Sequence, residues 1–194
     1  MCAYAVLKAI LDVQDPVRTC ICLLADKEET GSDGVSGIQS RAFDTFMDDL
    51  CTTQGVELRR CLEKSFCISA DVTAALDPLY AEVAEKKNES KLNYGMGVSK
   101  FTGARGKSGT SDASAEVMAY LRRLFEKAGV VWQMCELGKV DQGGGSIAKF
   151  VANRNIDTID AGVPLLSMHA PFEVTAKFDC YMTYKGVLAA YSDD

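Results

Sequence analysis

The sequence predicts an α/β fold built on a mostly parallel or mixed sheet. Three observations predict it: short apolar runs of strand length recur, segments with apolar residues at helical spacing separate them, and several runs end on acids or turns. With 194 residues, 47% of them hydrophobic, the chain supports one ordinary core and one domain or a large piece of one.

Residues 3–12 place Val6, Leu7, Ile10 and Leu11 at helical spacing, and Asp15-Pro16 ends the pattern. Residues 18–24 then read as a buried strand whose end, Cys20-Ile21-Cys22-Leu23-Leu24, empties into Asp26-Lys27-Glu28-Glu29-Thr30-Gly31-Ser32. After a loop over 34–37, residues 38–51 form an amphipathic segment with Ile38, Phe43, Phe46, Met47 and Leu50 on the buried side. Residues 65–70 read as a short strand that stops at Asp71. Residues 77–93 are polar and turn-rich, as a surface excursion would be, and 94–101 return as a strand. The glycine-rich, basic stretch 102–111 leads to a helix capped by Ser111 or Asp112 and running to Ala128, with Val117, Tyr120, Leu121, Leu124 and Phe125 on one face. Residues 130–137 form another strand, and Gly143-Gly144-Gly145 feeds a helix to about Arg154. Residues 156–168 supply a turn and strand ending at His169, and the last helix covers about 173–191.

Composition excludes some functions. A net charge of -6 leaves no basic footprint for nucleic acid, and no apolar run of about 18 residues is present to span a membrane. The eight cysteines are scattered, none forms Cys-x-x-Cys, and most lie in apolar stretches; they read as free thiols of a reducing compartment, so the expected location is cytoplasmic. Gly106-Lys107-Ser108 imitates the end of a phosphate-binding loop, but Phe101 stands where its first glycine belongs.

Three strand ends therefore carry ionisable groups: Glu28 with Glu29, Asp71, and His169, the single histidine. In open α/β sheets the carboxyl ends of strands face the ligand crevice. Carboxylate oxygen and imidazole nitrogen are zinc donors, and an adjacent acid that is not a ligand can act as general base. Taken singly, the Glu pair also fits a solvated loop, Asp71 a helix cap, and His169 a hydrogen-bonded core residue.

At these residues the chain resembles a known family. The segments Asp26-Lys27-Glu28-Glu29-Thr30-Gly31-Ser32, Ile68-Ser69-Ala70-Asp71, Gly138-Lys139-Val140-Asp141-Gln142-Gly143-Gly144-Gly145, Leu165-Leu166-Ser167-Met168-His169-Ala170-Pro171-Phe172-Glu173 and Asp179-Cys180-Tyr181-Met182-Thr183-Tyr184-Lys185 are similar to the aspartyl aminopeptidase, or aminopeptidase I, family of dinuclear zinc exopeptidases. The resemblance implies a three-layer α/β/α sandwich, a zinc-dependent aminopeptidase acting on peptides, two Zn2+ ions per complete site, and homo-oligomers. It implies Glu28 as general base, Glu29 and His169 as ligands of one zinc, and Asp71 as a ligand of the other.

It also implies a histidine from an early strand and a bridging aspartate, which the sequence lacks. The expectation is a C-terminal portion of the catalytic domain, spanning residues 1–194, without the first strands or the inserted dimerisation domain. Weak or partial metal binding and exposed apolar surface follow, with activity dependent on another polypeptide. Two alternatives stay open: a non-catalytic scaffold or subunit that partners a full-length relative, and a different dinuclear hydrolase such as a deacylase or carboxypeptidase. Lys100, Arg105 and Lys107 form either a solvated loop or a basic lip for a substrate carboxylate, with Lys107 the candidate contact.

Overall fold

In the computed structural model, which describes residues 1–104, 108–136 and 144–193, the elements run α1 (Cys2–Asp12), α2 (Ala42–Thr53), α3 (Leu58–Glu63), β1 (Phe66–Ser69), β2 (Thr73–Ala74), β3 (Met96–Ser99), β4 (Phe101–Ala104), β5 (Ser108–Asp112), α4 (Ala115–Ala128), β6 (Trp132–Met134), α5 (Ala148–Ala152), β7 (Asp157–Gly162), β8 (Pro164–Leu166), β9 (Val174–Thr175) and α6 (Lys177–Tyr191). The main sheet has the order β1-β7-β3-β6, with β1/β7 and β3/β6 parallel and β3/β7 antiparallel. The mixed, mostly parallel sheet expected from the sequence is present.

Alternation along the strands divides the interior into two cores. Phe66 and Ile68 of β1 and Ile159 and Ala161 of β7 face one core, where α4 contributes Leu121 and Phe125 and α6 contributes Met182. Cys67 faces the other, with Ile38, Phe43, Leu62 and Val151. Period-two alternation puts helices on both sides of one sheet. Leu121, Phe125 and Ile159 are almost fully buried, each contributing about 1.5–3 kcal/mol by removal from water. The N-terminus of α4 is held by Ser114, whose hydroxyl accepts the Val117 N–H at 3.1 Å, three residues later than the expected Ser111 cap.

The parallel β1/β7 pair does not simply end. It resumes as the parallel β2/β8 pair, and the intervening turn carries Asp71. Gly162 lies directly against that turn: a Cβ there would stand 1.8 Å from the Asp71 carbonyl oxygen. Only glycine permits this approach.

Several expectations fail for identifiable reasons. Residues 18–24 make no strand; a strand needs a ladder partner, and Tyr191 instead donates its hydroxyl to the Ile21 carbonyl at 3.0 Å, while Leu23 and Leu24 stay exposed. Helix α1 packs on α6 and buries its small residues Cys2, Ala5 and Ala9, with Cys2 Sγ accepting the Val163 N–H at 3.4 Å, leaving Tyr4, Leu7 and Leu11 as an exposed stripe. Phe46 of α2 is likewise exposed, whereas Met47 and Cys51 are buried. The glycine-rich, basic stretch 102–111, read as leading to a capped helix with no strand in it, carries β4 and β5 paired antiparallel. The strand predicted over 156–168 is broken at Val163 into β7 and β8.

Candidate metal centre

Glu28 and Glu29 lie in a single 3-10 turn that follows Lys27, a residue in the left-handed conformation at φ 63°. The loop is closed on itself by Ser32 N–H donating to the Lys27 carbonyl at 2.7 Å and by a bridge between Asp26 and Gly37. It is tied to the body of the protein by Arg154. That guanidinium, 16% exposed, donates to Asp44 at 2.7 Å, to the Phe150 carbonyl at 2.7 Å and to the Ile38 carbonyl at 3.0 Å, next to Gly37. Replacing Arg154 by Met is expected to leave these groups unpaired and cost about 2–4 kcal/mol, readable as a lower thermal midpoint. An unchanged midpoint would show that the loop is held elsewhere.

His169 follows β8 and is itself left-handed at φ 66°, a costly conformation for a residue with a side chain. Its N–H donates to the Glu173 carboxylate at 2.7 Å, and its Nδ1 stands 3.7 Å from Glu29 Oε1. Asp71 is half-buried, and its Oδ1 accepts the Val72 N–H at 2.7 Å. Glu28, Glu29, Asp71 and His169 all line one cleft of about 260 Å³, together with Gly144, Gly145 and Asp160. The convergence expected from the sequence is thus present. Lys107 and Arg105 lie outside the described residues, as do positions 138–143 of the glycine segment. Lys100 pairs with Asp112 across the β4/β5 hairpin.

The electrostatics of the cleft are those of crowded acid. Burial raises the Asp160 carboxyl to about 7; the Ser146 hydroxyl opposes this, and the charges of Asp71 and Glu28 add to it. Burial is also the main cause of the upward shifts of Asp71 and Glu28, reinforced for Asp71 by Glu29 and for Glu28 by Asp71 and Glu29. Between about 3.8 and 7 the folded chain holds protons that the unfolded chain has released, so stability falls as pH rises through that window. The metal-free protein is expected to lose on the order of 3 kcal/mol between pH 5 and 8 from Asp160 alone. Thermal melts across that range test this; a midpoint that rises with pH would contradict it.

An excess of carboxylate with one imidazole is the donor chemistry a divalent cation satisfies, and it fits zinc. Among the described residues, no three His, Cys, Asp or Glu side chains are close enough together to enclose an ion. The cleft gathers candidate donors without closing a shell.

Comparison with known proteins decides the family. Residues 1–191 match the model described as aminopeptidase I zinc metalloprotease (M18). The chain belongs to the M18 family. A probable M18 family aminopeptidase 1 from Clostridium acetobutylicum is 46% identical over 97% of this chain and 42% of its own length. The crystal structure of aminopeptidase I from that organism superposes with a TM-score of 0.92 at 45% identity, covering 100% of this chain and 42% of that one. The M18 structure from Thermotoga maritima gives 0.94 at 43% identity, over 98% and 44%. The chain therefore spans less than half the length of these M18 relatives.

Asp160 also lines the cleft, though little in the sequence marks it. Its only signal was an acid inside the apolar strand Ile159-Asp160-Ala161, and nothing short of the sheet register shows which way it points.

Proposed function

We propose that this chain carries the general base and part of the metal-binding set of a zinc-dependent aminopeptidase that removes N-terminal amino acids from peptides. The convergence of Glu28, Glu29, Asp71 and His169 on one cleft is the observation that carries it. In this reading Glu29 and His169 hold one zinc and Asp71 holds the other. Bound zinc supplies polarisation of the scissile carbonyl and acidification of water. Glu28 takes the proton of the attacking water; its burial and acidic neighbours move its carboxyl toward the range useful to a base near neutral pH. Gly144 and Gly145 leave the cleft wall free of side chains where a peptide backbone approaches.

Among the described residues, two candidate ligands on one side and one on the other fall short of the three of typical catalytic zinc sites. We therefore place the remaining ligands, a histidine and a bridging aspartate, outside these 194 residues, and expect partial zinc binding by the chain alone. The assay is hydrolysis of aminoacyl anilides by the zinc-loaded chain completed with the remaining part of a relative. Release of amine from free-amino substrates and none from N-acylated or C-terminal substrates supports the reading; the reverse preference would favour a deacylase or carboxypeptidase. His169→Ala is expected to lower zinc affinity by about 10–100-fold, measured by metal titration. Unchanged affinity would remove His169 from the ligand set.

The stripe of Tyr4, Leu7 and Leu11 on α1 favours a second reading, a non-catalytic scaffold that partners a full-length relative. Binding to a relative without any turnover would support it. Homo-oligomers fit the same exposed surface, and the eight free cysteines support a cytoplasmic location.

A further inference from the structure

The deep end of the cleft has a composition that neither metal binding nor base catalysis uses. Asp160 sits at the centre of the main sheet, in register with Ser69 of β1 on one side and Ser99 of β3 on the other. Residues in register on adjacent strands project from the same face, so a carboxylate is flanked by two hydroxyls. Ser99 and Thr73 line the cleft beside Asp160. All three are more than nine-tenths buried: Thr73 is 6% exposed, Ser99 7% and Asp160 8%. Thr73 Oγ1 has no nitrogen or oxygen partner among the described residues; the polar side chain beside it is the Cys135 thiol, which also lies 3.3 Å from the Ser99 hydroxyl and leaves both hydroxyl oxygens able to accept.

A buried carboxylate is stable as an ion only beside a cation or several donors. The Ser146 hydroxyl is one donor, but the charges acting on Asp160 most strongly, Asp71 and Glu28, are both negative. No ion pair among the described residues includes Asp160. Gly97 adds space, since a Cβ there would meet Thr73 Cγ2 at 2.8 Å. The floor is small, hydroxyl-bearing and acidic, with no cation among the described residues beside its carboxyl.

We infer that Asp160, with the Thr73 and Ser99 hydroxyls, receives the primary ammonium group at the substrate's amino terminus. This rests on the aminopeptidase reading and names the element that makes the site require a free amine. An ammonium presents three donors, matching one carboxylate and two hydroxyl oxygens. The carbonyl carbon two bonds from that nitrogen then falls back toward Glu28 and Asp71, which line the same cleft. Asp160 selects and positions the substrate, while Glu28 handles the proton.

The test is an NMR titration of the full, metal-free chain with alaninamide and with propionamide, which lacks only the amine. Wild type is expected to bind alaninamide about 10-fold more tightly, and Asp160→Asn to reduce that preference to about twofold or less. Thr73→Val keeps the carboxylate and is expected to reduce it about threefold, which preserves the test should Asp160→Asn fail to fold. No preference in wild type, or a preference unchanged in the variants, overturns the inference. A preference that depends on Asp160 in a completed enzyme without turnover would instead sink the aminopeptidase reading alone.

Discussion

Glu28→Gln is expected to lower turnover of aminoacyl anilides by about 10²–10⁴-fold in the completed, zinc-loaded enzyme, with zinc content unchanged. The amide preserves size and hydrogen bonding but cannot accept the proton from water. Glu28 lines the cleft with Asp71 and Glu29, and its carboxyl is shifted up by burial and by those two charges. Metal analysis alongside the rate separates a base from a ligand. Loss of rate together with loss of zinc would make Glu28 a ligand, and full activity would remove it from the chemistry.

Gly162→Ala is the substitution expected to do most structural damage. An added Cβ would lie 1.8 Å from the Asp71 carbonyl oxygen and 3.0 Å from Cys2 Sγ. A backbone carbonyl cannot rotate away as a flexible side chain can, so the turn between β1 and β2 has to move, at a cost of about 1–3 kcal/mol or more. Asp71 moves with it. The expected result is a lower thermal midpoint together with roughly 10-fold weaker zinc binding, since a displaced ligand loses its geometry. A destabilised protein with unaltered zinc affinity would show that Asp71 is not a ligand.

Much of this arrangement was legible in the sequence because the signals were local. Asp71 and His169 each end a short apolar run, and α4 announces itself by Val117, Leu121 and Leu124 at helical spacing, although its cap is Ser114 and not Ser111 or Asp112. What was not legible depended on partners distant in the chain. The run at 20–24 has strand composition, but only the fold reveals that Tyr191 takes its carbonyl and no strand pairs with it. In α1 the large aliphatic residues suggested the buried face, yet close packing against α6 selects Ala5 and Ala9. Asp160 joins the cleft only through its register with Ser69 and Ser99, a relation between residues about 60 to 90 positions apart.

The central claim, that Glu29, Asp71 and His169 offer oxygen and imidazole nitrogen to a shared cation pocket, meets its most direct test in X-ray absorption at the zinc edge of the zinc-loaded chain. A shell of nitrogen and oxygen neighbours at about 2.0–2.2 Å, with the imidazole contribution lost in His169→Ala, is the predicted result. Sulfur neighbours at about 2.3 Å would place the zinc on cysteines instead and contradict it.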